Sequence, residues 1–417
     1  MAGIMNDNYI DNNIDAIRSE FKLLDHWIYL NAGDQMIPGN YWLSAARDFY
    51  SFQEYGRMED IPTADIATHP FLMALADECI ERAARLINAD KDEVTNCYRP
   101  CITANLIFYN MFEWRSGDNV VFTDLSYPSI PYILQDLRRR FGIELRVIKN
   151  VDGVTRLEDL EAAVDEQTRM VVIDRTAAFS GFTFDVKEVC RIAHAKGALV
   201  LDDAMQSLGA INVDVKDDDV DMLVSGVYKW LCGPEGAGLF YIKKELIESI
   251  DPTFRNYIWA DLGGDIPFAD PDHDNIESWK CPPVNTANKF SQDVVIGPAL
   301  FGWNATLKFF EKIGMENVEE RVRRLGTYAV GRLQEIGCEV TTPLDARQRH
   351  GLITYTTGDY EKDAAFFQRC AAPGRCQKPI KISMRTLGGI GNLRVCTHFF
   401  NTEEDIDYLV DLQKSML

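Results

Sequence analysis

The chain has 417 residues, 46% of them hydrophobic and 11% aromatic, enough for a full core and, at roughly 150 residues per domain, two or three folding units. Its 64 acidic residues against 43 basic ones give a net charge of −21. A surface that acidic repels phosphate backbones and anionic lipid, so neither nucleic acid nor a membrane surface is expected as a partner.

No stretch approaches the roughly 20 apolar residues of a membrane span. The opening residues lack the basic and apolar regions of a secretory signal, and a cytoplasmic location is expected. The ten cysteines form no C-x-x-C pair and read as free thiols. Asp270, Asp272, His273 and Asp274 come nearest to a metal set, but in a Pro-rich acidic stretch they read as a solvated loop, and no metal is expected.

In chain order, Leu72, Leu75, Cys79, Ala83 and Leu86 recur at helical spacing. Val120 to Phe122 reads as a buried strand. A capping box at Thr155 and Glu158 opens a helix, and Met170 to Ile173 forms the next strand. A helix over 186–196 leads to strands at Ala198 to Leu201, Met222 to Val224 and Gly238 to Ile242. Short apolar runs alternating with helices predict an α/β fold with a mainly parallel, doubly wound sheet. Residues 251–288 read mostly as loop. A helix is expected over 292–310, and a second carries Val318, Val322, Leu325, Ala329 and Ile336. Strands at 351–356 and 380–384, then a helix capped by Thr402 and Asp405, complete a smaller α+β unit. The expected division is an N-terminal segment, 1–35, packing with the small domain; a large domain, 36–290; and a small C-terminal domain, 291–417.

The most informative stretch is Ser225-Gly-Val-Tyr-Lys229-Trp-Leu-Cys-Gly-Pro-Glu-Gly-Ala-Gly238. A lysine just beyond a buried strand is desolvated, which lowers its pKa and frees the amine for imine chemistry. Alone it reads as a surface lysine beside a glycine turn. Upstream, however, Leu199-Val-Leu-Asp-Asp203 ends a strand in carboxylates, 26 residues before Lys229. A carboxylate and an amine at neighbouring strand ends suit a pyridinium cofactor.

Four segments carry a family resemblance. Asp203-Ala-Met-Gln206-Ser-Leu-Gly resembles D-x-x-Q/H-x-x-G, and Tyr228-Lys-Trp-Leu-Cys-Gly-Pro-Glu-Gly-Ala-Gly resembles H/Y-K-W-L-x-G-P-x-G-x-G. Ile28-Tyr-Leu-Asn-Ala and Leu393-Arg-Val-Cys-Thr-His-Phe-Phe-Asn-Thr-Glu-Glu-Asp resemble the opening and closing motifs. The chain thus resembles, over about residues 27–412, the class V aminotransferase family of fold-type I enzymes dependent on pyridoxal 5′-phosphate, which includes cysteine desulfurases, isopenicillin N epimerase and kynureninase.

The resemblance implies a seven-stranded-type sheet in the large domain, and a homodimer with active sites at the subunit interface. Lys229 would carry the cofactor and move the Cα proton of an amino-acid substrate. Asp203, with Asp202 as fallback, would face the pyridine nitrogen, Gln206 the phenolic oxygen, and Tyr127 would stack on the ring. Tyr228 and Ser225, with Cys101, Ile102 and Thr103, are the phosphate candidates. Arg394 would clamp the substrate carboxylate, with Asn31 and Ala32 beside it. Two departures stand out. Arg99-Pro-Cys-Ile-Thr-Ala-Asn105 lacks the usual phosphate-cup pair, and Lys289-Phe-Ser-Gln-Asp-Val replaces R-F-E-x-G-T, the segment that reaches the partner subunit's phosphate.

The residues leave the reaction open. A lyase or epimerase-like member is favoured. Alternatives are an aminotransferase, a desulfurase using Cys376 as sulfur carrier, and a non-catalytic protein that kept the fold. The residues flanking Cys376, Ala-Pro-Gly-Arg-Cys-Gln-Lys-Pro, do not match the desulfurase loop R-x-G-x-H-C-A.

Overall fold

The computed structural model describes residues 8–55, 70–253, 283–291, 297–372 and 378–417. Along them run β1 (Ile28–Tyr29), β2 (Val94–Asn96), β3 (Asn119–Thr123), β4 (Glu144–Ile148), β5 (Thr168–Asp174), β6 (Leu199–Asp203), β7 (Met222–Gly226), β8 (Gly238–Ile242), β9 (Glu339–Val340), β10 (Leu352–Thr356), β11 (Ile380–Lys381), β12 (Ser383–Leu387) and β13 (Ile390–Cys396).

Seven strands form the large sheet in the order β2-β8-β7-β6-β5-β3-β4. Within this sheet β8 alone runs against the direction of the other six strands. Alternating side chains feed two cores, as a pleat requires. Val171, Ile173, Val200 and Leu223 face one side; Met170, Val172, Leu201 and Val224 face the other. Both faces are covered, so the central strands read as continuous apolar runs. The edge strand β4 is half exposed and carries Glu144 and Arg146, which is why hydropathy alone passes over it. The short β2, too, escapes the pattern.

A four-stranded antiparallel sheet, β12-β13-β10-β9, forms the C-terminal part, and β1 pairs in parallel with β11. Its core holds Ile28, Leu325, Ile353, Val395 and Leu409. The helix Gly297–Ile313 instead buries Ala299, Leu300, Trp303 and Phe310 in the large sheet's core, beside Ala83 and Val94. Residues 292–296, where the sequence starts that helix, lie outside the described residues, as do most of the loop over 251–288 and Asp270 to Asp274.

Two caps contrast. Thr402 accepts from the Asp405 N–H at 3.4 Å while the Asp405 carboxylate accepts from the Thr402 N–H at 3.2 Å, the box read in the sequence. At Thr155 the expectation fails: the helix Leu157–Ala163 takes Arg156 as its N-cap, and the buried Thr155 hydroxyl has no hydrogen-bond partner. The chain there turns one residue later than the box motif demands.

Candidate active site

The carboxyl ends of β5, β6 and β7 open on a cavity of about 390 Å³, the usual place for a ligand in a sheet of this kind. Lys229 follows β7 and lines the cavity with only 9% of its surface exposed. Burial, reinforced by Arg394, lowers its ammonium to about 8; Asp203 and Asp34 oppose the shift. Tyr127 stands opposite, half exposed, its ring centroid 5.5 Å from Lys229 Nζ.

Asp203 closes β6 and lines the cavity. Its carboxylate accepts the Met205 N–H at 2.9 Å, and burial raises it to about 6 against that bond and Lys229. Strand alternation turns Asp202 to the other face, where it accepts from Arg175 Nε at 2.8 Å and forms an ion pair with Nη2 at 2.6 Å. The fallback residue is thereby removed from the cavity.

Gln206 donates from Nε2 to the Gly33 carbonyl and accepts the Trp230 indole N–H, both at 2.9 Å. One amide thus joins the N-terminal segment to the lysine loop. Gly209 completes its motif for a steric reason. Its φ is +96°, and a Cβ there would lie 2.5 Å from Leu231 N.

Arg394 is 2% exposed. It donates from Nε to Ser383 Oγ and from Nη1 to the Ala178 carbonyl, both at 2.9 Å. Nη2 is buried without a hydrogen-bond partner, on a residue that lines the cavity beside Lys229. A half-satisfied buried guanidinium fits an incoming carboxylate.

The phosphate candidates separate. Tyr228 and Cys101 line the cavity, near Arg99, whose guanidinium lies 5.1 Å from the Tyr228 ring centroid. Ile102 is 44% exposed and is not part of the lining. Thr103 is buried, its hydroxyl 2.8 Å from Cys97 Sγ, again outside the lining. Helical periodicity explains this, since within Pro100–Leu106 three successive residues point three ways. Ser225 lies within β7, fully buried, and donates to the Gly226 carbonyl at 3.2 Å rather than reaching the cavity. It stands four residues before Lys229, too far back along the strand. Asn31 and Ala32 are buried beside the site, while the next residues, Gly33, Asp34 and Gln35, do the lining. Lys289 donates to the Ile247 carbonyl of its own chain, and Cys376 lies outside the described residues.

Sequence reasoning missed Asp174, Arg385 and Arg99. Asp174 ends β5 as Asp203 ends β6, so its signal was a strand run closing on a carboxylate. Arg385 pairs with Asp34 at 3.1 Å and Arg99 with Glu235 at 2.7 Å, contacts between distant segments that no local pattern announces. Among the described residues, no group of three or more His, Cys, Asp or Glu side chains is placed to hold a metal, and no helix is long and apolar enough to cross a membrane.

The aminotransferase class-V family model matches residues 67–409. The chain belongs to that family. It is therefore an enzyme dependent on pyridoxal phosphate that acts on an amino acid. Its residues fit the cofactor: a desolvated amine, a carboxyl group at a strand end, and an aromatic ring across from the amine. Among relatives, a probable cysteine desulfurase of Halalkalibacterium halodurans is 29% identical over 339 residues, 79% of each chain. The cysteine desulfurase of Haloferax volcanii is 25% identical, covering 96% of each. Of solved structures, a cysteine desulfurase from Thermococcus onnurineus superposes with TM-score 0.80 at 19% identity, covering 100% of this chain and 99% of that one. The cystine C–S lyase C-DES, in complex with cysteine persulfide, also gives 0.80 at 21% identity, covering 94% and 99%. These two show the shared fold.

Proposed function

We propose that this class-V enzyme is a carbon–sulfur lyase that eliminates the sulfur group from Cβ of a cysteine-type amino acid. The observation that carries the reading is the pairing, in one cavity, of the Lys229 amine with the unpartnered Nη2 of Arg394. Arg394 would hold the substrate carboxylate through Nη2 and so present Cα to Lys229, which takes its proton. Asp203 would face the pyridine nitrogen, Tyr127 the ring, and Tyr228, Cys101 and Arg99 the phosphate. Pyridoxal phosphate, when bound, supplies an electron sink for negative charge at Cα.

Elimination is favoured over epimerisation because it needs one base. The other cavity acids near the mouth are engaged, Asp34 with Arg385 and Glu235 with Arg99 and Gln35. Lys229 is left to move the proton on one face. The names of the relatives support a sulfur-containing substrate. A second reading, cysteine desulfurase, is favoured by those same names and requires Cys376 as the sulfur carrier. A homodimer in the cytoplasm belongs to this proposal, and a sedimentation mass of one chain would remove the dimer.

Incubation with cysteine, cystine and S-substituted cysteines separates the two readings. A lyase releases pyruvate and ammonia with the sulfur product; a desulfurase releases alanine and leaves sulfur on a protein thiol. Pyruvate should form, and Cys376→Ala should keep turnover within about three-fold of the parent, since Lys229 needs no protein thiol. Alanine as the product, together with loss of turnover in Cys376→Ala, would establish the desulfurase instead.

A further inference from the structure

Asp174 closes β5 as Asp203 closes β6, and the two are register partners on adjacent parallel strands. Alternation places them on the same face, and both line the cavity. Asp174 is 6% exposed. Its Oδ2 accepts the Tyr127 backbone N–H at 2.7 Å, whereas its Oδ1 is buried without a hydrogen-bond partner. One carboxyl group therefore touches the loop that presents Tyr127 and sits beside the acid that ends the next strand.

The groups acting on Asp174 are Asp203 and, on the opposite face, Asp202 of β6; Lys229 beyond β7; and the Tyr127 amide. Neighbouring buried carboxylates beside one amine do not both ionise. Asp203 takes the charge, with the Met205 N–H and Lys229 to support it. Burial, then Asp203, push Asp174 well above the usual carboxylate range.

We propose that Asp174 is a positioning residue of the cofactor site, a neutral acid with its proton on Oδ1. Its Oδ2 seats the Tyr127 loop, and its neutrality leaves Asp203 the negative charge that the pyridine nitrogen needs. The inference rests on the family's cofactor and not on which bond of the substrate breaks.

Two variants of the full-length protein test it. Asp174→Asn keeps the shape, the neutrality and an acceptor for the Tyr127 N–H; Asp174→Ala removes the acceptor. The readouts are the pyridoxal phosphate dissociation constant, from fluorescence quenching, and the pH midpoint of the cofactor's visible band. Asp174→Ala should bind the cofactor at least about five-fold more weakly, the scale of one lost hydrogen bond, while Asp174→Asn stays within about five-fold of the parent. The Asp174→Asn midpoint should stay within about 0.5 pH unit, because no charge is lost. A larger downward move would show that Asp174 is ionised in the parent and would overturn the proposal. So would an Asp174→Asn protein as weak as Asp174→Ala, or an Asp174→Ala protein that binds as the parent does. If Asp174→Ala does not fold, the Asp174→Asn midpoint and affinity decide.

Discussion

Burial lowers the Lys229 ammonium to about 8, so near neutral pH a fraction of the amine is already neutral and nucleophilic. Raising pH through 8 removes the proton and speeds attack on an aldehyde. Cofactor-free protein mixed with pyridoxal phosphate should load with a rate that rises through a midpoint near pH 8. A solvated lysine would place it near about 10.4. Lys229→Ala should retain no cofactor that borohydride can fix. Arg394 is held by Ser383 and Ala178, leaving Nη2 for substrate. Arg394→Lys keeps the charge but loses the fork, at a cost of about 1.5–3 kcal/mol, or roughly ten- to a hundred-fold in KM. The corresponding decarboxylated amine should bind both forms equally.

The ends of β5 and β6 hold a second constellation behind the site. Arg175 is 5% exposed, and pairs with Asp202 at 2.6 Å and Asp218 at 2.7 Å. Asp202 is fully buried on the strand that carries Asp203. Removing one member of a buried pair strands the other charge, at a cost of about 3–5 kcal/mol. Arg175→Met should therefore lower unfolding stability by that amount in denaturant titrations and also weaken cofactor retention, because β6 then loses the anchor behind Asp203. A loss below about 1 kcal/mol would mean that water reaches Asp202.

The two sheets meet around the lysine loop. His398, from the C-terminal part, donates from Nε2 to the Trp230 carbonyl at 2.6 Å, and its Nδ1 accepts the Phe399 N–H at 2.8 Å. His350 packs edge-on against the Trp230 ring. Burial lowers both imidazoles to about 3. In the unfolded chain they would take up protons below about 6.5, so between 6.5 and 3 the unfolded state binds more protons and stability falls as pH falls. Each contributes a slope of up to about 1.4 kcal/mol per pH unit in that window. His398→Gln should be less stable than the parent at pH 7 yet lose less on going to pH 5. Melting temperatures at the two pH values measure the difference, and equal losses would place the acid sensitivity elsewhere.

Local chemistry marked out the central strands, the lysine beyond β7, the carboxylate of β6 and the Thr402 cap, because apolar runs, turn glycines and capping residues act over a few neighbouring positions. It also ordered the family motifs that named the cofactor. It did not reveal the edge strand β4, whose exposed charges hide its period, or the actual lining residues of the phosphate end, where a helix turn divides Cys101 from Ile102 and Thr103. Asp203 was preferred to its fallback Asp202 from the sequence, but only the packed sheet supplied a structural reason, an arginine on the far face that claims Asp202. Arg385 and Arg99 entered through tertiary structure alone, and the strand-end signal of Asp174 acquired its meaning only there. Their roles depend on neighbours far away in the chain, and a buried charge acquires its protonation and its partner only when the strands and sheets close around it.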